Sequence, residues 1–161
     1  METYKYTEID NHNILLEKII IDDTNYTIIN YENGNKLLKK KVFINITDID
    51  DIINYDLTKS VICHCVINNK EYNKLKYSSI LYEIYNLIND GTKIIINTLL
   101  NIKTIKKNDK GFHYLDKIGI SVQGVDSNKC ILEIIKQSIE NNIKIFIKIK
   151  TINGIIINII F

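Results

Sequence analysis

Thirty-eight of the 161 residues are isoleucine, while alanine and proline are absent. Those two facts limit what the chain can fold into. Isoleucine is branched at Cβ, which restricts χ1 and suits a pleated surface better than a helix. Without alanine the strongest intrinsic helix former is missing, so any helix must be held by the packing of an apolar stripe. Without proline, chain reversals fall to Asn, Asp and Gly. The expectation is an α+β fold, mostly antiparallel β-sheet with two amphipathic helices packed on it.

Period and punctuation place the elements. Residues 4–9, 14–21 and 26–31 read as strands separated by polar turns. Asn33-Gly34 has the form of a type I′ turn and leads into a strand over 36–46, so residues 1–46 are expected to be a β-meander. Thr47, with Asp50 three residues on, resembles a capping box for a short helix reaching Tyr55. A strand over 60–67 turns at Asn68-Asn69 and returns over 71–75. Ser78 or Ser79 offers an N-cap to the clearest helix, whose apolar face is Ile80, Leu81, Ile84, Leu87 and Ile88 and which stops at Asp90-Gly91. Strands are expected over 93–100, 102–106 and 118–122. Ser127 or Asn128 caps a helix over 129–140 that buries Ile131, Ile134, Ile135 and Ile139. Residues 143–152 and 155–161 form a hairpin around Asn153-Gly154. Within a single domain, 1–161, the stretches 78–106 and 128–161 both read as a helix followed by a hairpin. Either duplication or a chain poor in residue types produces that echo.

All 21 basic residues are lysine. Bidentate guanidinium forks onto phosphate, carboxylate or guanine are thereby excluded. A net charge of +2 argues against a dedicated nucleic-acid binder. Residues 1–10 are polar rather than leader-like, and no apolar run reaches the ~18 residues of a bilayer span. Cys63, Cys65 and Cys130 are an odd number and not a disulfide framework. The expectation is a reduced, cytoplasmic protein away from the membrane.

Ile, Asn and Lys supply 80 of the 161 residues, and their codons are AT-rich, whereas the absent Ala, Arg and Pro have GC-rich ones. In this respect the whole chain resembles the uncharacterised proteins of AT-rich large DNA viruses, the giant viruses of amoebae among them. The resemblance is one of composition and rests on no motif. It implies a viral source, with the host cytoplasm or the virion as location, and implies no activity.

Candidate sites are few. In Cys63-His64-Cys65 a regular strand points both thiols to one face and the imidazole to the other. No second ligand pair exists, so neither a metal nor a cofactor is expected. Cys130 at a helix N-terminus with His113 is the one conceivable thiol–imidazole pair for a small enzyme. The loop 119–128 runs from strand to helix but lacks phosphate-loop spacing, and reads as a cap with a turn at Gly124. Lys39, Lys40 and Lys41 surround one turn and Lys103, Lys106 and Lys107 another. With the mid-chain tyrosines they make a weak single-stranded nucleic-acid surface the alternative reading.

The last hairpin carries the leading one. A two-residue turn at Asn153-Gly154 sets Ile152 opposite Ile155, Lys148 opposite Ile159 and Phe146 opposite Phe161. Phe146, Ile157, Ile159 and Phe161 then share a face of roughly 300–600 Å² that the C-terminal helix does not reach. Either more of the chain or a partner covers it. Strand 155–161 has no charge to discourage edge pairing, so it belongs inside the sheet or at an interface. The reading is a non-enzymatic interaction or structural protein, binding itself as a homodimer or another protein.

Overall fold

The protein was analysed as a computed structural model, which describes residues 6–8, 13–16, 26–30, 36–40, 42–89, 97–104 and 111–161. The chain divides into two compact units, Met1–Phe43 and Ile44–Phe161.

The first unit holds β1 (Tyr6–Glu8), β2 (Asn13–Leu16), β3 (Tyr26–Asn30) and β4 (Lys36–Lys40) in the order β1-β2-β4-β3. Every pairing is antiparallel, but the order is not that of a meander, since β4 lies between β2 and β3. Leu37-Leu38 is the most apolar step of β4. Its interior place pairs it with Ile14-Leu15 on one side and Ile28-Ile29 on the other, so two successive rungs are aliphatic across β2, β4 and β3 and end on Glu8 and Thr7 in β1. The strand expected over 36–46 is two strands in different sheets. The turn at Asn33-Gly34 lies outside the described residues.

The second unit is built from β5 (Phe43–Ile46), α1 (Ile49–Ile52), β6 (Val61–Ile67), β7 (Lys70–Glu71), α2 (Tyr77–Ile88), β8 (Ile102–Lys103), β9 (Phe112–Leu115), β10 (Ile120–Gln123), α3 (Ser127–Glu140), β11 (Ile145–Lys150) and β12 (Ile156–Ile160). One sheet has the order β5-β12-β11-β6-β7 and the other β8-β10-β9. The class is α+β, and the β8–β10, β10–β9, β12–β11, β11–β6 and β6–β7 pairs are antiparallel. The uncharged strand β12 is interior, between β5 and β11, which removes its edge.

Turn chemistry sets the registers. Asn68 and Asn69 both have positive φ, 48° and 64°, and close a two-residue turn with Ile67 opposite Lys70. The last hairpin differs. Thr151 N–H donates to Ile155 C=O, Gly154 N–H to Thr151 C=O, and Gly154 alone in the loop has positive φ, +81°. This is a three-residue loop, a type I turn closed by a left-handed glycine. Thr151, not Ile152, therefore faces Ile155, and Lys150 pairs with Ile156, Lys148 with Asn158 and Phe146 with Ile160. A slip of one residue turns all of β12 over. Ile157 and Ile159 pair with Ile149 and Ile147, and all four are fully buried.

A second correction lies in β6. Lys148 pairs with His64 but Ile149 with Ile62, so Cys63 is an extra residue. The bulge leaves Cys63 exposed and His64 half-buried, and turns Cys65 into the core.

The helices form where the apolar stripes are. α2 starts at Tyr77, before the serines expected to cap it, and its N-cap Lys76 makes no side-chain cap bond. Asp126, one residue before the expected cap, accepts from Lys129 N–H at the start of α3. α3 ends with Asn142 at φ 53°. Ile143 N–H donates back to Ser138 C=O and Asn142 N–H to Ile139 C=O, a Schellman closure with asparagine in the left-handed place. Ile80, Leu81 and Ile84 of α2 and Ile131, Ile134 and Ile135 of α3 form one core with the inner face of the five-stranded sheet. Leu87 and Ile139, expected on those buried faces, are exposed.

Residues 97–100 are not the strand expected there, and residues 90–96 lie outside the described part. Residues 97–100 form instead a bent strap bonded to side chains of α3.

Candidate functional site

The five-stranded sheet has a covered face and an open one. The alternation of β11 sends Ile145, Ile147 and Ile149 inward and Phe146, Lys148 and Lys150 outward. Register then assembles three outward rungs. The upper one is Ile160, Phe146, Val66 and Glu71; the middle one Asn158, Lys148 and His64; the lower one Ile156, Lys150 and Val61. Val61 is 62% exposed and Ile160 41%, while Phe146 and Val66 are half-buried. His64 sits edge-on to Phe146 at 5.9 Å, and its Nδ1 lies 3.4 Å from Glu71 Oε1. Asn158 Nδ2 donates to Asn45 Oδ1 at 3.0 Å. Two mainly apolar rungs, each with one charged residue, Glu71 above and Lys150 below, thus flank a polar one, and Ile156 of the lower rung is buried.

Of the four residues expected to share one face, Phe146 lies in this outer grid. Ile157 and Ile159 are in the core, and Phe161 packs against the core from the chain end. The reason is the longer hairpin loop. The signal was present in Asn158, a polar residue between two isoleucines, which marks 157 and 159 as inward and 158 as outward.

The thiol–imidazole pair is not assembled for catalysis. Cys130 is buried in the core, and burial, then the charges of Glu133 and Asp126, push its thiol up to about 12. His113 is exposed on β9, with its ring stacked on Tyr82 at 4.7 Å. Cys65 is buried beneath the sheet, and burial raises its thiol to about 11. Among the described residues no three His, Cys, Asp or Glu side chains gather as metal ligands.

Of the six candidate lysines, three are described. Lys39 and Lys40 stand in β4, opposite Thr27 and Tyr26, and Lys103 is exposed at the end of β8. Lys41, Lys106 and Lys107 lie outside the described residues.

A polar site within the core was not visible in the sequence. Glu133 of α3 is fully buried. Its Oε1 accepts from Tyr85 Oη at 2.8 Å, Thr98 Oγ1 at 2.7 Å and Gln137 Nε2 at 2.9 Å. Its Oε2 accepts from Leu99 N–H at 2.8 Å. Burial, and secondarily the Glu133 charge, raise the Tyr85 hydroxyl well above its usual value, which keeps it a donor. The single carboxylate joins α2, α3 and the strap. In a chain with 19 acidic residues nothing marks this one, except that it falls inside an isoleucine stripe.

A further cluster ties the start of α3 to the loop before β6. Asn128 Oδ1 accepts from Leu57 N–H at 2.7 Å and Ser127 Oγ donates to Leu57 C=O at 2.9 Å, while Leu57 is fully buried. Asp56 accepts from the Thr58 hydroxyl, Asn128 and Thr58 N–H, which bring it down to about 2. These bonds dock residues 126–128 as a cap, whereas residues 120–123 of the expected loop are strand β10. Among the described residues no helix is long and apolar enough to cross a membrane. No family model, curated protein or solved structure matches the chain.

Proposed function

We propose that the protein is a non-enzymatic interaction protein that self-associates through the open face of its five-stranded sheet. The supporting observation is the one-sided cover of that sheet: helices lie on the inner face, while the outer grid keeps Val61 and Ile160 exposed between polar groups. A second copy suits the grid because its charges complement themselves. Glu71 ends the upper rung and Lys150 lies in the lower one, on either side of His64. A two-fold axis at His64 sets opposite signs over each other in facing copies. The three cysteines are free, which supports a reducing, cytoplasmic setting. The AT-rich composition supports a large DNA virus as source, with the host cytoplasm or the virion as location.

Light scattering of the full chain at high micromolar concentration tests the reading. A dimer is expected for the wild type and a folded monomer for Phe146→Lys. A monomeric wild type at that concentration overturns it.

A further inference from the structure

We propose that residues 97–101 form a strap that opens as a unit from α3, with Glu133 as its latch. The strap's first four residues lack a strand partner, and side chains of α3 hold their backbone instead. Leu99 N–H ends on Glu133, and Asn97 C=O accepts from Gln137 Nε2 at 2.6 Å and from Lys136 Nζ at 3.3 Å. Asn97 Oδ1 takes a second bond from Lys136 at 2.8 Å, and its amide donates to Glu140 at 3.2 Å.

Positions 133, 136, 137 and 140 follow helical spacing, so one polar stripe of α3 fastens Asn97, Thr98 and Leu99, while Thr98 Oγ1 also bonds Tyr85 of α2 and accepts from Leu100 N–H. Only at Asn101, whose C=O accepts from Gln123 N–H, does sheet pairing take over. Apolar anchorage is thin: Leu100 is buried, but Leu99 is 45% exposed. A segment with few buried apolar contacts and side-chain tethers lies at the low end of local stability.

Within the stripe Glu133 and Gln137 are both buried, and Glu133 alone binds two residues of the strap, through Thr98 Oγ1 and Leu99 N–H. Half-buried Lys136 and exposed Glu140 bind only Asn97, through bonds that solvent reaches and weakens. Removing the Glu133 charge therefore loosens the strap before it loosens the sheet.

Hydrogen exchange on the full chain tests this. In Glu133→Gln the Leu99 and Leu100 amides are expected to exchange about 10–100-fold faster, as loss of bonds to a buried charged acceptor implies. The β6 and β11 amides are expected to keep wild-type rates. Unchanged exchange at Leu99 and Leu100 refutes the latch. Acceleration that is equal in the strap, β6 and β11 refutes a separable strap. If Glu133→Gln does not fold, Thr98→Val removes one donor from the same carboxylate; because it also removes the acceptor of the Leu100 amide, the Leu99 amide against β6 and β11 then decides.

Discussion

Thr151 and Ile155 close the last hairpin through two bonds: Thr151 N–H donates to Ile155 C=O at 2.9 Å, and Thr151 Oγ1 accepts from Ile155 N–H at 3.1 Å. This pair, one residue earlier than a two-residue turn requires, decides which isoleucines of β12 enter the core.

Adjacent residues should therefore respond in opposite ways. Ile159→Lys places an unpaired charge at a fully buried site and should abolish cooperative unfolding. Ile160→Lys, on the open face, should cost under about 1 kcal/mol in urea titration. The reverse outcome would restore the two-residue turn.

Gly154 holds φ +81° with nothing within 4 Å of a Cβ added there. Only backbone strain should oppose a side chain. Gly154→Ala is expected to cost roughly 1–2 kcal/mol in urea titration. A neutral Gly154→Ala would show that the loop has another conformation.

Ile84→Asp and Ile134→Asp should each unfold the second unit, since both sites are fully buried at the contact of α2 and α3. Lys136→Ala loses only exposed bonds to Asn97 and should cost under about 1 kcal/mol. A cooperatively folding Ile134→Asp, followed by circular dichroism, would contradict the packing described.

The thiols set a direction with pH. Cys65 and Cys130 have folded values raised to about 11 and about 12, so the fold favours their protonated form. Their contribution is complete below the unfolded thiol value of about 8.5 and is lost as pH rises through the folded ones. Urea midpoints should fall between pH 8 and pH 10. At neutral pH iodoacetamide should modify exposed Cys63 alone. Rapid labelling of Cys130 in the folded protein would disprove its burial.

What the sequence disclosed follows from periodicity. α3 was readable because Ile131, Ile134 and Ile135 recur at helical spacing, and β6 because of its β-branched run. Errors arose where one residue of loop length or one bulge decides a face. A β-strand of isoleucines is apolar on both sides, so its pattern barely votes on register, and at β12 only Asn158 did so. The Glu133 site stayed hidden because its partners come from positions 85, 98, 99 and 137, and only folding brings them together.

Asparagine's place in the backbone bears on how such a chain tolerates mutation. Among the described residues, the left-handed asparagines have φ of 48°, 53° and 64°, whereas the left-handed glycines have 67°, 81° and 91°. The left-handed well for residues with a side chain spans about 50° to 70°, and asparagine enters it readily. Mutation pressure that erodes glycine thus meets little resistance inside that well, where Asn68, Asn69 and Asn142 stand. Beyond it, at Gly154 and Gly111, steric strain opposes replacing glycine by asparagine.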